Sequence, residues 1–418
     1  MENILVYNSD VYIPRIADHY LKDALSRAGG VLIEGPKACG KTETAKQLAK
    51  SIVQVDTDVN LATRLEIMPE SVLEGETPRL FDEWQVHPLI WNLVRHEIDK
   101  RKLTGQFILT GSTAPSEHNM HHSGAGRLSR LQMQTMTFYE TNDSDAQVSL
   151  FDLVKLKPDQ SIQACESSLS ITDIAQRIAI GGWPGNIGLS EEQVIKNNQD
   201  YLKTVSEIDI SVPDEVKRDP QRVNALLMAL SRSVASEVSI SALSMDADIA
   251  RDTVRDYLDA LSRIYIVQNQ PAWSLHLRSR STLRDSPKRH LADPALCVAA
   301  LHTSSQGLLN NLEYFGQVFE SQVIHDLRVY IHDEVYHGRD AQGLEVDAIF
   351  TLEGREVFAE VKLGSSEKNL DTAATHLKAF ASKYAKDKNP ILIIITAGKF
   401  SYTRADGVHV VSFANLGR

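Results

Sequence analysis

Gly35-Pro-Lys-Ala-Cys-Gly-Lys-Thr42 sets two glycines, a lysine and a hydroxyl at the spacing G-x-x-x-x-G-K-[ST]. So spaced, these residue types make a P-loop. Backbone N–H groups wrap a β-phosphate, and the glycines let the backbone come close to it. Lys41 reaches the β/γ-phosphates and the Thr42 hydroxyl ligates Mg²⁺. Downstream, Arg79-Leu-Phe-Asp-Glu-Trp84 ends a short apolar run in two carboxylates. Asp82 can hold the Mg²⁺ ion through its water shell, and Glu83 can polarise the attacking water as general base. An acidic pair ends many strands, so its weight comes from following a P-loop at the right remove. ATP and Mg²⁺ are the cofactors these residues predict. The expected nucleotide contacts are Gly35, Pro36, Lys37, Ala38, Cys39, Gly40, Lys41, Thr42 and Glu43, with Thr110 or Ser112 sensing the γ-phosphate. Ordinary turn chemistry is the alternative for the last two.

The elements that must position these groups are legible around them. Val31-Leu-Ile leads into the loop, and Ala45, Leu48, Ala49 and Ile52 follow at helical spacing. Strand, glycine loop and helix are the context a P-loop needs, and the helix N-terminus adds partial positive charge. Ile13–Ala28 reads as an amphipathic helix, Ile52–Asp56 as a second strand, Val86–Lys100 as a helix and Gln106–Ser112 as a further strand. In Ser123-Gly-Ala-Gly-Arg-Leu-Ser-Arg130, Arg127 is a candidate arginine finger, in cis or from a neighbouring subunit, against the plainer reading of a solvated loop arginine. Leu131–Phe138 alternates weakly and is a candidate to close the sheet. Strands alternating with helices predict an α/β fold: a parallel, doubly wound sheet with nucleotide at its C-terminal edge.

Thr141–Asp173 is polar and less periodic, which suggests a boundary or lid. Ile171–Ile180 and Gln193–Ile208 read as helices flanking the sharp turn Gly181-Gly-Trp-Pro-Gly185. Three helical stretches then start near Arg222, Val238 and Ile249, and Tyr265–Val267 turns apolar like a wing strand. Three helices and a hairpin spell a winged helix, used for DNA or equally as a spacer or protein contact surface. His276–His290 holds Arg278, Arg280, Arg284, Lys288 and Arg289 against Asp285, a stretch that could track phosphates or simply be solvated.

A second constellation lies near the C-terminus. Phe315–Tyr330 is a helical stretch containing Glu320, and Gly343–Phe350 and Val357–Leu363 are strands. Period-two geometry puts Glu345 and Asp347 on one face, and Glu360 and Lys362 on one face of the next strand. Asp, then Glu-x-Lys, plus a helical Glu is the layout of PD-(D/E)XK nucleases, in which carboxylates bind Mg²⁺ and the lysine orients water. Asp347 and Glu360 are the expected metal ligands, and Glu320, Asp347, Glu360 and Lys362 the expected catalytic set. The alternative is a surface hairpin of alternating charges.

Composition sets outer bounds. The 418 residues suffice for two to four domains, and the formal net charge of −11 argues against a protein that coats nucleic acid non-specifically. Cys39, Cys165 and Cys297 are too scattered for a disulfide framework or zinc site, which predicts a reducing cytoplasm. There is no signal-peptide pattern and no apolar run of membrane-spanning length, so no membrane partner is expected.

Taken together, the chain resembles the bacterial and archaeal AAA-type ATPases that join a P-loop core to a C-terminal domain of unknown function ending in a PD-(D/E)XK-like module. The resemblance rests on Tyr12-Ile-Pro-Arg15, Gly35–Thr42, Asp82-Glu-Trp-Gln85, Leu109-Thr-Gly-Ser112, Gly126-Arg127, Gly181-Gly-Trp-Pro184, Asp293-Pro294, Phe319-Glu320, Glu345-Val-Asp347 and Glu360-Val-Lys362. It implies four regions: a P-loop core over 1–145, a helical lid or linker over 146–212, a winged-helix-like region over 213–295 and the nuclease-like module over 296–418. The expected function is a Mg²⁺-dependent ATPase coupled to a DNA-binding or nuclease-like half. The competing expectation is an ATP-dependent regulatory switch with a catalytically dead nuclease fold. DNA and a second copy of the chain are the macromolecular partners left open.

Overall fold

The computed structural model describes residues 12–113, 124–157, 160–273, 287–340, 342–385 and 389–418. Two compact units emerge, one from residues 1–34 and 40–133, the other from 35–39 and 134–418.

In the first unit the order is α1 (Ile16–Arg27), β1 (Gly30–Glu34), α2 (Lys41–Lys46), β2 (Ser51–Gln54), α3 (Leu61–Ile67), β3 (Arg79–Asp82), α4 (Leu89–Arg101), β4 (Phe107–Gly111) and β5 (Leu128–Gln132). The strands form one parallel sheet in the order β2-β3-β4-β1-β5. Every residue of β1 and β4 is buried, as a parallel sheet covered on both faces requires. Leu32, Phe81, Trp84, Trp91 and Phe107 sit in its core. Because the strands are parallel, the ends of β1 and β3 lie on the same edge. That edge carries the glycine loop after Glu34 and the carboxylate of Asp82.

The last strand starts earlier than its apolar alternation suggests. Leu128 pairs with Gly30, and the register runs on to Gln132 opposite Glu34. Gly124 and Gly126, with φ of 69° and 79°, turn the chain into this strand.

The second unit opens with β6 (Val148–Ser149), α5 (Leu150–Leu153), β7 (Cys165–Glu166), α6 (Ile171–Ile180), α7 (Glu191–Glu207), α8 (Pro220–Arg232), α9 (Ile240–Ala247) and α10 (Arg251–Arg263). Then come β8 (Val267–Gln270), β9 (Lys288–Leu291), α11 (Ala295–Ala300), α12 (Ser305–Asn310), α13 (Leu312–Ile331), β10 (Tyr336–Arg339), β11 (Glu345–Leu352) and β12 (Arg355–Lys362). It closes with α14 (Glu367–Tyr384), β13 (Ile391–Thr396), β14 (Phe400–Thr403), β15 (His409–Ser412) and β16 (Leu416–Gly417). A mixed seven-stranded sheet runs β10-β11-β12-β13-β15-β14-β7. The three helices α8–α10 are followed by the antiparallel pair β8–β9.

The polar stretch over 141–173 carries two short strands. Its β7 pairs with β14 as the last strand of the seven-stranded sheet, and its β6 pairs with β16 in a separate two-stranded sheet. An open edge strand presents unpaired backbone groups, and short added strands satisfy them.

The core between α14 and this sheet is aromatic. Phe380 is fully buried and its ring lies 5.5 Å from Phe358, 6.0 Å from Trp273 and 4.7 Å from Tyr384. Phe380→Ala should therefore cost about 3–5 kcal/mol, read as a lowered urea midpoint for unfolding of the second unit. A midpoint unchanged from wild type would mean that this cluster does not hold α14 in place.

Candidate functional site

In the first unit three side chains from three elements meet at the C-terminal edge of the parallel sheet. The Thr42 hydroxyl, at the start of α2, donates to Asp82 Oδ1 at 2.8 Å. The Thr110 hydroxyl, on β4, donates to the same oxygen and accepts the Glu83 N–H at 3.3 Å. Asp82 is buried at the end of β3, where these two hydroxyls stand in for water. Glu83 adopts φ 53°, a left-handed conformation that turns its side chain off the strand path. Its carboxylate accepts from Gln85 Nε2 and from the Ser112 hydroxyl at 3.3 Å. Thr110 thus faces Asp82, and Ser112 faces Glu83. Lys41 is almost fully buried in the first turn of α2. Gly40 has φ 105°, a conformation that favours glycine at the helix start.

Segment Gly35–Cys39 belongs to the second unit and is anchored there. Lys37 Nζ lies 2.5 Å from Asp209 Oδ1, and Asp209 is buried just after α7. The Lys37 carbonyl accepts from Trp183 Nε1 at 3.2 Å and from the Tyr201 hydroxyl at 3.4 Å. The sharp turn after α6 explains itself nearby. A Cβ on Gly182 would come within 2.0 Å of the Met136 carbonyl oxygen, and its N–H donates to Asp293 at 2.8 Å. The sequence singled out Trp183 and Asp293 without assigning them work. Asp209 carried no sequence signal.

Arg127 is a correction. Its carbonyl accepts the N–H of Gly30, so it sits at the N-terminal edge of the parallel sheet, opposite the edge that carries the loop. Five residues of strand separate the two edges, about 13 Å at ~3.3 Å per residue. Its guanidinium pairs with Asp99 of α4 at 2.9 Å. An arginine finger in its own chain's site does not fit this geometry, which leaves action on a neighbouring chain or the plainer role of a solvated arginine paired with Asp99.

The second constellation does gather on one side of the C-terminal sheet, around a residue assigned elsewhere. Lys288 was read as part of a basic stretch tracking phosphates; Arg278, Arg280 and Arg284 of that stretch lie outside the described residues. Lys288 itself turns inward from the start of β9 and is buried. Its Nζ lies 2.7 Å from Glu320 Oε1, 3.1 Å from Glu345 Oε1 and 3.3 Å from Asp347 Oδ1. Lys362 stands apart from this triad and pairs with Glu360 at 2.7 Å. Asp347 Oδ2 also accepts the Val361 N–H at 2.9 Å, which ties β11 to β12.

Burial dominates the electrostatics here. It pushes Glu360 up to about 8, with Asp347 adding repulsion and Lys362 opposing. It pushes Glu320 up to about 7, again with Asp347 adding and Lys288 opposing. Burial also works to raise Asp347, but Lys288 and Lys362 hold it below its ordinary value. Burial works to lower Lys288, yet Glu320, Asp347 and Glu345 keep it well above its ordinary value, so its ammonium is charged. Among the described residues no group of three or more His, Cys, Asp or Glu is disposed to hold a metal ion.

The comparisons divide the chain in a related way. Residues 28–142 match the model of the AAA domain family. Residues 171–307 match a Domain of unknown function (DUF8612), and residues 315–416 match another, DUF4143. The uncharacterized protein Rv2008c of Mycobacterium tuberculosis is 26% identical over 353 residues, 83% of this chain and 73% of its own. The uncharacterized protein Mb2031c of Mycobacterium bovis matches with the same identity and coverage. Among solved structures, the Walker-type ATPase PABY2304 of Pyrococcus abyssi aligns with a TM-score of 0.42 and 12% identity, over 70% of this chain and 97% of its own. AMPPCP-bound DnaA from Aquifex aeolicus aligns with a TM-score of 0.24 and 15% identity, over 58% of this chain and 86% of its own. Residues 28–142, which include the Gly35–Thr42 loop, are thus similar to the AAA domain family. No helix among the described residues is long and apolar enough to cross a membrane.

Glu360 supplies a pH test. Its folded value near 8 lies above that of an unfolded glutamate, about 4.3, so the folded state binds the extra proton between these limits. Its contribution is fully present below the unfolded value and is lost as pH rises through the folded one. Glu360→Gln keeps the neutral form at every pH. Its melting temperature relative to wild type should climb between pH 5 and pH 8.5; a difference flat across that range would mean that Glu360 is already ionised in the fold.

Proposed function

We propose that this chain is a Mg²⁺-dependent ATPase whose C-terminal carboxylate centre is a closed scaffold rather than a working nuclease. The observation that carries the first half is the meeting of Thr42, Asp82 and Thr110 on one oxygen, with Glu83 next along the chain. Two hard oxygen donors 2.8 Å apart, Thr42 Oγ1 and Asp82 Oδ1, suit Mg²⁺, and the AAA-domain match over this region supports the same reading. Bound there, the ion would neutralise phosphate charge. Backbone N–H groups of residues 35–43 would hold the phosphates, and Lys41 would balance the charge on the β- and γ-oxygens. Glu83, once free of Gln85 and Ser112, would take the proton of an attacking water at its carboxylate. Thr110 keeps Asp82 turned toward Thr42.

The second half rests on Lys288. A buried ammonium at the centre of the carboxylates offsets part of their charge without a divalent ion, which favours a regulatory switch over DNA cleavage. A working nuclease is the competing reading, favoured by the convergence of Glu320, Asp347 and Glu360 with Lys362. Coupling to DNA through the helix-and-hairpin region, and assembly with a second copy, are further parts of the proposal that ATP turnover with and without DNA would test.

Lys41→Ala should lower ATP affinity or turnover by about a hundredfold or more, since no other group replaces its charge. Glu83→Gln should bind ATP as wild type does and lose turnover, because an amide cannot take the proton. Steady-state phosphate release beside fluorescent-nucleotide titration separates the two. Turnover at the wild-type rate in Glu83→Gln would remove Glu83 from the mechanism. Plasmid nicking by wild-type protein with Mg²⁺ or Mn²⁺, abolished in Asp347→Ala, would overturn the scaffold reading.

A further inference from the structure

Four carboxylates, Glu320, Glu345, Asp347 and Glu360, share one side of the C-terminal sheet, yet the charge at their centre comes from outside it. Lys288 belongs to β9, which pairs only with β8 among the described strands. Its ammonium makes three contacts between 2.7 and 3.3 Å with Glu320, Glu345 and Asp347, and its side chain is 4% exposed. The strand is fastened in that position: Gln270 Nε2 donates to the Asp347 carbonyl at 2.7 Å, and His290 bridges Gln270 and Ser321 at 3.1 and 3.0 Å. Arg328 of α13 also donates to Gln268 at 3.1 Å and to the Asn269 carbonyl at 2.8 Å.

One oxygen is left over. Glu360 is 5% exposed; its Oε1 accepts from Lys362, while Oε2 is buried with no hydrogen-bond partner. One step beyond the Ala348–Ala359 pair, Glu360 stands opposite Asp347 on the same side of the sheet. A buried polar oxygen without a partner is costly, and it leaves a lone pair free to take a new one.

We infer that Lys288 occupies the place of a divalent cation, and that removing its ammonium turns the centre into a site for a hard divalent ion such as Mn²⁺ or Mg²⁺. This rests on the reading of the C-terminal centre as closed and is independent of the ATP site. Counting charges, the four carboxylates face two ammonium groups, Lys288 and Lys362. Without Lys288 only one remains, and a divalent ion restores more than was lost. The donors are all carboxylate oxygens, the kind that hard cations take. Ammonium-to-oxygen distances near 3 Å exceed the ~2.0–2.6 Å of metal–oxygen bonds, so the carboxylates must close in by about half an ångström or more. The oxygen of Glu360 that now has no donor becomes a ligand or the acceptor of a metal-bound water.

The test is Mn²⁺ binding to the full chain without nucleotide at pH 8.5, followed by the electron paramagnetic resonance signal of free Mn²⁺. Lys288→Met should bind one ion at least about tenfold more tightly than wild type, and Asp347→Asn added to it should abolish that binding. Lys288→Gln serves as the second variant, with circular dichroism confirming that each is folded. A folded Lys288 variant that binds Mn²⁺ no better than wild type overturns the inference. So does a wild-type chain that already binds one Mn²⁺ lost in Asp347→Asn, a measurement that needs no Lys288 variant to fold. Plasmid nicking is scored separately. Cleavage by wild type would defeat the closed-scaffold reading, whereas Mn²⁺ binding without cleavage in Lys288→Met would leave both readings standing.

Discussion

Charge cannot be left alone in a protein interior, and the C-terminal half of this chain is arranged around that constraint. Moving an ammonium or carboxylate out of water costs several kcal/mol even after relaxation. Lys288, Glu320 and Asp347 are all buried or nearly so, and each is tolerable only because the others are there. The arrangement fixes more than charge. Lys288 comes from the β8–β9 pair, Glu320 from α13, and Glu345 and Asp347 from β11, so one ammonium group ties together three elements far apart in sequence. A buried ion pair of this kind adds little net stability over a well-packed apolar group of the same shape, but loss of one partner is severe. Such a network specifies which way β9 lies against the sheet.

In the first unit the same rule acts on a smaller scale. Asp82 is buried at a strand end and accepts two hydroxyl hydrogen bonds, from Thr42 and Thr110. These partners are neutral, and their hydrogen bonds are easily exchanged for others. The Asp82 site can therefore reorganise around an incoming cation, whereas the Lys288 site already holds one. Two carboxylate centres of similar composition thus have opposite readiness for a metal, and the difference lies in whether the counter-charge is a hydroxyl dipole or a full ammonium.

What could be read from the sequence follows from how local each signal is. The P-loop and the Asp82-Glu83 pair are contiguous motifs, and parallel strands carry both to the same sheet edge. The helices α6 and α13 announced themselves by period, and the three helices before β8 by order. Arg127 misled because a glycine-flanked arginine looks the same at either edge of a sheet. Only the register of Leu128 against Gly30 tells which edge it is. The strands within 141–173 were not legible because two-residue strands such as β6 and β7 have no period to detect. They exist because the edges of β14 and β16 need partners.

Lys288 was the most consequential misreading, and it has a physical lesson. A run of basic residues suggests a solvated or phosphate-facing surface, since lysine is rarely buried. Nothing within the run marks Lys288 as different from its neighbours. The mark is in its alternation along β9: Lys288 and His290 share one face of the strand, and both are buried, while Arg289 between them is less so. A lysine in register with a buried histidine needs a carboxylate on the facing element. The sequence offers a surplus of them in Glu320, Glu345, Asp347 and Glu360. The excess of acid at the C-terminal centre and the lone inward lysine are two halves of one interaction, separated by more than thirty residues and joined only when β9 meets α13 and β11.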